Sequence, residues 1–173
     1  MTRTALFYIL LAILLIVAQV VVFNHICLFG IAVPYVFIYI LIALPLTLGS
    51  GKVITAGFFL GLIVDIFSDT AGLCALGCTV MGALRHPVIR LYFPREEDIT
   101  NMRPSADSIG LGLFLRYSMT LTFIFATVVT LADSFIFFDP LRIILLIVGS
   151  TLLTTALIVA LDFFTVHRRE KRL

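Results

Sequence analysis

Two long stretches without a full charge dominate the start of this chain. Thr4 to Phe23 is apolar except for Gln19, and Ile26 to Gly51 holds no charged residue at all. Each is about as long as the roughly 20 apolar residues that carry a helix through a bilayer core. A water-soluble fold would have to cover such stretches with polar surface that the rest of the chain does not supply. Apolar residues make up 61% of the 173 positions and charged residues 13%, against roughly 45–50% and 25% in soluble domains. The mean hydropathy is +1.18. These figures exclude an ordinary globular domain, and equally a disordered chain, which needs low hydrophobicity and high charge. The apolar runs are continuous, without the alternation of a barrel strand. The expectation is an all-α integral membrane protein with a single polytopic domain over 1–173.

Six spans are expected. The first covers 4–23 and is read as uncleaved: its apolar region is a full bilayer long, and Asn24-His25-Ile26 offers no small-residue cleavage site. The second covers 32–48, with Pro34 in its first helical turn, where a missing N–H costs nothing, and Pro45 ending or kinking it. Gly49-Ser50-Gly51-Lys52 forms a turn, and spans three (53–67) and four (73–84, extending toward 92) follow. These two are short, so a re-entrant hairpin is the alternative to full crossing. Asp69 in their turn favours crossing, since an exposed polar turn at membrane depth needs protein or water around it. A polar cytoplasmic loop over 85–108, broken by Pro87, Pro94 and Pro104, leads to spans five (109–132) and six (141–164). A short tail over 165–173 ends the chain.

The basic residues orient this layout. Arg3, Lys52, the loop arginines Arg85, Arg90, Arg95 and Arg103, and the tail residues Arg168, Arg169, Lys171 and Arg172 fall on one side, with Arg142 alone on the other. Arg116, in the fifth span, can snorkel to the basic side. Both termini are therefore expected in the cytoplasm.

Few residues carry chemistry. Gly57, Gly61 and Asp65 stand four apart and share one face of span three. Glycines at that spacing permit close helix approach. A carboxylate at mid-span costs roughly 2.5–3.5 kcal/mol, so Asp65 is either a polar anchor or part of a small-molecule site, or else it sits near the outer headgroups beside Asp69. Gln19 and Asn24 are expected to hydrogen-bond between helices. Gly149, Ser150, Thr151, Thr154 and Thr155 read as small packing residues, and Asp162 as a residue of the cytoplasmic interface. His25, His86 and His167 are isolated at span ends. Cys74 and Cys78 are one turn apart without a further Cys/His set for a metal; with Cys27 the count is odd, which argues against a disulfide framework. No G-x-S-x-G or H-E-x-x-H motif occurs, and Gly49-Ser50-Gly51-Lys52 is too short for a phosphate-binding loop. No catalytic, cofactor-binding or metal-binding residue is expected.

From Gln19 to Gly82 the sequence resembles the rod shape-determining MreD family. The features are Gln19, then Pro34, then Ala43-Leu44-Pro45. Next comes the run Gly57-Phe58-Phe59-Leu60-Gly61-Leu62-Ile63-Val64-Asp65-Ile66-Phe67-Ser68, with Leu73 to Leu76 after the turn. The second half is similar only in layout, and the charged loop departs from the family pattern. The resemblance implies a non-enzymatic inner-membrane component of the bacterial cell-elongation machinery, supporting sidewall peptidoglycan synthesis. Its implied fold is a compact six-helix bundle similar to the substrate-binding subunits of energy-coupling-factor transporters. Its implied partners are an MreC-like membrane-anchored protein, then MreB and the elongation transglycosylase–transpeptidase pair, within the lipid bilayer and with no nucleic acid. One alternative is a vitamin-transporter subunit. Such subunits resemble one another in an Ala-x-x-x-Ala pair in the first span, and Ala5, Ala12 and Ala18 lack that spacing. The other is an intramembrane enzyme using Asp65 and Asp69.

Overall fold

The computed structural model describes residues 2–22, 32–46, 48–92, 104–134 and 140–170, with side chains placed from residue 10 to residue 165. Asn24, His25, Cys27, Arg95, Arg103 and Asp139 lie outside the described residues. Helix is the dominant element, and the described residues contain no β-strand. The helices are α1 (Thr2–Val21), α2 (Tyr39–Ile42, preceded by a 3-10 turn at Val36–Ile38), α3 (Ser50–Ser68), α4 (Leu73–Tyr92), α5 (Ala106–Ile109), α6 (Leu111–Asp133) and α7 (Pro140–Glu170). Three stretches, Ser50–Ser68, Leu111–Asp133 and Pro140–Thr165, are long and apolar enough to cross a membrane.

The second expected span is not a membrane-length helix. Between Ala32 and Leu46 only the 3-10 turn and the single α-turn of α2 are helical. Pro34 does not occupy a first helical turn: it lies in extended chain before Val36. Val36 to Ala43 are all buried, with Phe37, Ile38, Leu41 and Ile42 fully enclosed. Irregular backbone is tolerated at membrane depth only inside protein or along a water-filled cavity, and here protein encloses it. Phe125 of α6 packs edge-on against both Tyr35 (centroids 5.0 Å apart) and Phe37 (5.7 Å), the offset geometry that aromatic quadrupoles favour.

Helices α3 and α4 form an antiparallel pair joined by a tight turn, in which Asp69 and Gly72 have positive φ. The α3 backbone ends at Asp69, in the left-handed conformation (φ 53°), with its N–H bonded to the Asp65 carbonyl. Thr70 N–H bonds to the same carbonyl (3.1 Å). Aspartate is among the few non-glycine residues that enter this region routinely. Gly61 and Gly57 face α4 directly. A Cβ added to Gly61 would lie 2.5 Å from Ala75 Cα and 2.6 Å from Cys74 O, and one on Gly57 would lie 2.9 Å from Cys78 O. All of these are backbone atoms, so the helices meet main chain to main chain at these points.

The fourth helix runs to Tyr92, passing through Pro87, so Arg85 does not open a polar loop. It lies inside the bundle, 1% exposed. The last helix also outruns its expected end. It spans 31 residues, about 46 Å at 1.5 Å per residue, and carries the start of the expected tail.

Candidate functional site

Buried polar side chains bridge separate chain segments at four places, and three of them serve the irregular segment 32–46. In the first, Gln19 on α1 is 1% exposed. Its Nε2 donates to the Pro34 carbonyl (2.9 Å) and its Oε1 accepts from the Val36 N–H (2.8 Å). The side-chain amide thus stands in for a peptide group of a neighbouring strand. Two further N–H groups of the segment are taken by α7: Val33 donates to Ser150 Oγ and Tyr35 to Thr154 Oγ1, each at 3.0 Å. Ser150 and Thr154 are therefore more than small packing residues. They supply acceptors that a helix would have found in its own backbone.

Asp162 forms the second place. It is 2% exposed, and accepts from the Tyr39 hydroxyl (3.0 Å) and from the Ala106 N–H at the start of α5 (2.7 Å). It is a buried junction of three chain segments and does not face outward. From Ser150 to Asp162, α7 advances about 18 Å, and the irregular segment runs beside it in the same direction.

At the lower end of the segment stands Arg85, the third place. Its Nε donates to the Tyr117 hydroxyl (3.0 Å), and its terminal nitrogens donate to the Leu44 and Pro45 carbonyls. Those carbonyls follow the last turn of α2, where a cation also meets the negative end of the helix dipole. A buried charge is retained only where its donors are engaged, and these bonds engage all three guanidinium nitrogens.

The fourth place is Asp65, 3% exposed. Its Oδ1 accepts from Cys74 N–H (2.9 Å) and from the Thr70 hydroxyl, and its Oδ2 accepts from Ala75 N–H (2.8 Å). Cys74 and Ala75 are in the first turn of α4, whose N–H groups have no intrahelical partner. A carboxylate there also meets the positive end of the helix dipole. Asp65 is thus an N-cap supplied from the neighbouring helix, with its carboxylate turned into the α3–α4 contact. Asparagine at this position offers one acceptor atom and turns a donor toward an N–H. Asp65→Asn is therefore expected to lower stability by about 1–3 kcal/mol, read as a lower midpoint of thermal unfolding in detergent.

The sequence-level candidates separate into two constellations. Gln19 and Pro34 meet each other, whereas Gly57, Gly61 and Asp65 all meet α4. Asp69 is exposed in the turn. Cys74 and Cys78 are buried free thiols, and the described residues contain no group of His, Cys, Asp or Glu able to hold a metal. His86 is half-buried on α4. Sequence reasoning passed over Ser150, Thr154, Asp162, Tyr39, Arg85 and Tyr117 as site-builders. For Arg85 a signal was present: an arginine followed by an unbroken apolar pattern Val88-Ile89 fits a helix better than a loop. No family model, curated protein or solved structure matches the chain.

Proposed function

We propose that this chain is a non-enzymatic, MreD-like membrane component of the bacterial cell-elongation machinery, which binds an MreC-like partner and supports sidewall peptidoglycan synthesis. What supports the reading is the use made of the residues that carry the resemblance. Gln19 and Pro34 bond to each other, while Gly57, Gly61 and Asp65 lock α3 to α4. Residues used for architecture fit a scaffold. The same bonds weigh against an Asp65–Asp69 catalytic pair, because both Asp65 oxygens are occupied in capping α4 and Asp69 points to the surface turn. In this reading the chain crosses the inner membrane several times with both termini in the cytoplasm.

The test is co-purification in a rod-shaped bacterium. The full chain is expected to bring down an MreC-like protein, and its depletion to give rounded cells. Cysteine at Ala71, exposed in the α3–α4 turn, should label in intact cells, and cysteine at Asp107 only after permeabilisation. A stoichiometric vitamin-like molecule in the purified protein, found by mass spectrometry, would replace this reading with the transporter-subunit alternative.

A further inference from the structure

The packing of the helices sorts the exposed charges to the two ends of the bundle. Gly82 of α4 lies beside Val53 and Ile54 of α3, whereas Gly61 lies beside Cys74 and Ala75. Lys52 therefore stands at the same end as Arg85 and Arg90. Arg85 bonds to Tyr117, while Gly77 lies against Phe125 and Val129. Arg116 therefore belongs to that end as well. Asp162 bonds to Ala106 just before α6, so the final turns of α7 arrive there too. Among the described exposed side chains this end holds Lys52, Arg90 and Arg116 against Asp107 alone. The other end holds Asp69 and Asp133 against Arg142.

The three exposed cations stand on three different helices, next to exposed apolar side chains such as Leu91 and Leu115. Cations placed where an apolar wall ends meet the phosphate level of a bilayer. Among the described residues, the side chains of Lys52, Arg90 and Arg116 are exposed and bridge no two segments of the fold. We infer that this basic end is a contact surface for anionic phospholipid headgroups, with Lys52, Arg90 and Arg116 as the headgroup-binding side chains. The occupant is a lipid leaflet and not an acidic protein, because the cations stand on three separate helices and Arg90 and Arg116 each adjoin an exposed leucine of the apolar wall. The inference rests on the membrane reading alone and is independent of the cell-elongation assignment.

The experiment uses the full chain in mixed micelles holding equal amounts of phosphatidylglycerol and phosphatidylcholine, with retained lipid counted by native mass spectrometry. Each basic residue near an anionic surface is worth about 1 kcal/mol, or roughly fivefold. Wild type should therefore retain phosphatidylglycerol over phosphatidylcholine by about tenfold or more. Combined Lys52→Gln, Arg90→Gln and Arg116→Gln should lower the ratio at least about fivefold, while Arg142→Gln should leave it unchanged. Raising the salt on the wild-type protein gives an independent reading that needs no variant. The preference should fall as the screening length shrinks from about 10 Å at 0.1 M to about 3 Å at 1 M. Equal retention of the two lipids by wild type, a ratio insensitive to salt, or an equal loss in Arg142→Gln would each overturn the inference. Equal retention would leave the basic end to an acidic protein partner. None of these results bears on co-purification with an MreC-like chain.

Discussion

Gly61→Leu is expected to yield no recoverable folded protein. A Cβ at position 61 alone would sit 2.5 Å from Ala75 Cα and 2.6 Å from Ala75 N. Neither atom can move aside as a flexible side chain would, because both belong to the first turn of α4. That turn is held by two N–H bonds to Asp65 on the same face. Separating the helices enough to admit a side chain would break the cap. Overpacking ordinarily costs about 1–3 kcal/mol and occasionally more, and here lost capping bonds add to it. The glycines supply a graded control. Alanine at Gly57 meets Cys78 O at 2.9 Å, and alanine at Gly82 meets Ile54 Cα at 3.3 Å. The midpoint of thermal unfolding in detergent should fall least for Gly82→Ala, further for Gly57→Ala and furthest for Gly61→Ala. A Gly61→Leu protein that elutes as a sharp monomer with wild-type melting would show that α3 and α4 do not meet at this face.

Gln19→Met should be the next most damaging change, although methionine matches glutamine in length and is more apolar. The substitution deletes both the donor to Pro34 O and the acceptor of Val36 N–H. Each buried backbone group left without its partner costs about 1–3 kcal/mol, giving about 2–6 kcal/mol for the pair. On hydropathy alone the variant should improve a membrane helix, so the two accounts predict opposite signs. Gln19→Glu probes the two bonds. As the neutral acid it can accept from Val36 N–H and donate its O–H to Pro34 O. At low pH it should therefore fall between wild type and Gln19→Met in its unfolding midpoint. The midpoint should drop as rising pH ionises it and leaves a buried charge against the Pro34 carbonyl. A stabilised Gln19→Met protein would mean that segment 32–46 is held by packing alone.

The helical, membrane-type character of the chain was legible because it depends on apolar run length, which is local. The stripe of Gly57, Gly61 and Asp65 was legible for the same reason: a four-residue spacing defines a helix face. Its partner was partly within reach too, since Asp65 caps N–H groups only nine and ten residues away. The broken second segment was not legible. Hydropathy records that Val36 to Ile42 are apolar, and says nothing about whether their backbone is helical. What permits the irregular path is a set of acceptors 17, 117 and 119 residues distant, and no window along the chain sees them. Arg85 misled for a related reason. A charge in an apolar sequence reads as the end of a span unless its partners are known, and the carbonyls of Leu44 and Pro45 are 41 and 40 residues upstream. Proline 34 misled through an ambiguity of its own, since it suits both a first helical turn and the extended chain that precedes one.

The two threads that tie segment 32–46 to α7 also set a timetable for biogenesis. Val33 and Tyr35 emerge from the ribosome 117 and 119 residues ahead of the serine and threonine that receive their N–H groups. At about 5–20 residues per second, that is a delay of roughly 6–24 s. Over that interval the segment has Gln19 and, once α4 is made, Arg85, but no acceptor for those two N–H groups. The nascent chain must spend it either as a provisional helix that later unwinds or beside an insertase that lends polar groups. The finished arrangement is reachable only after translation of the last helix, so assembly closes from the carboxyl end backward.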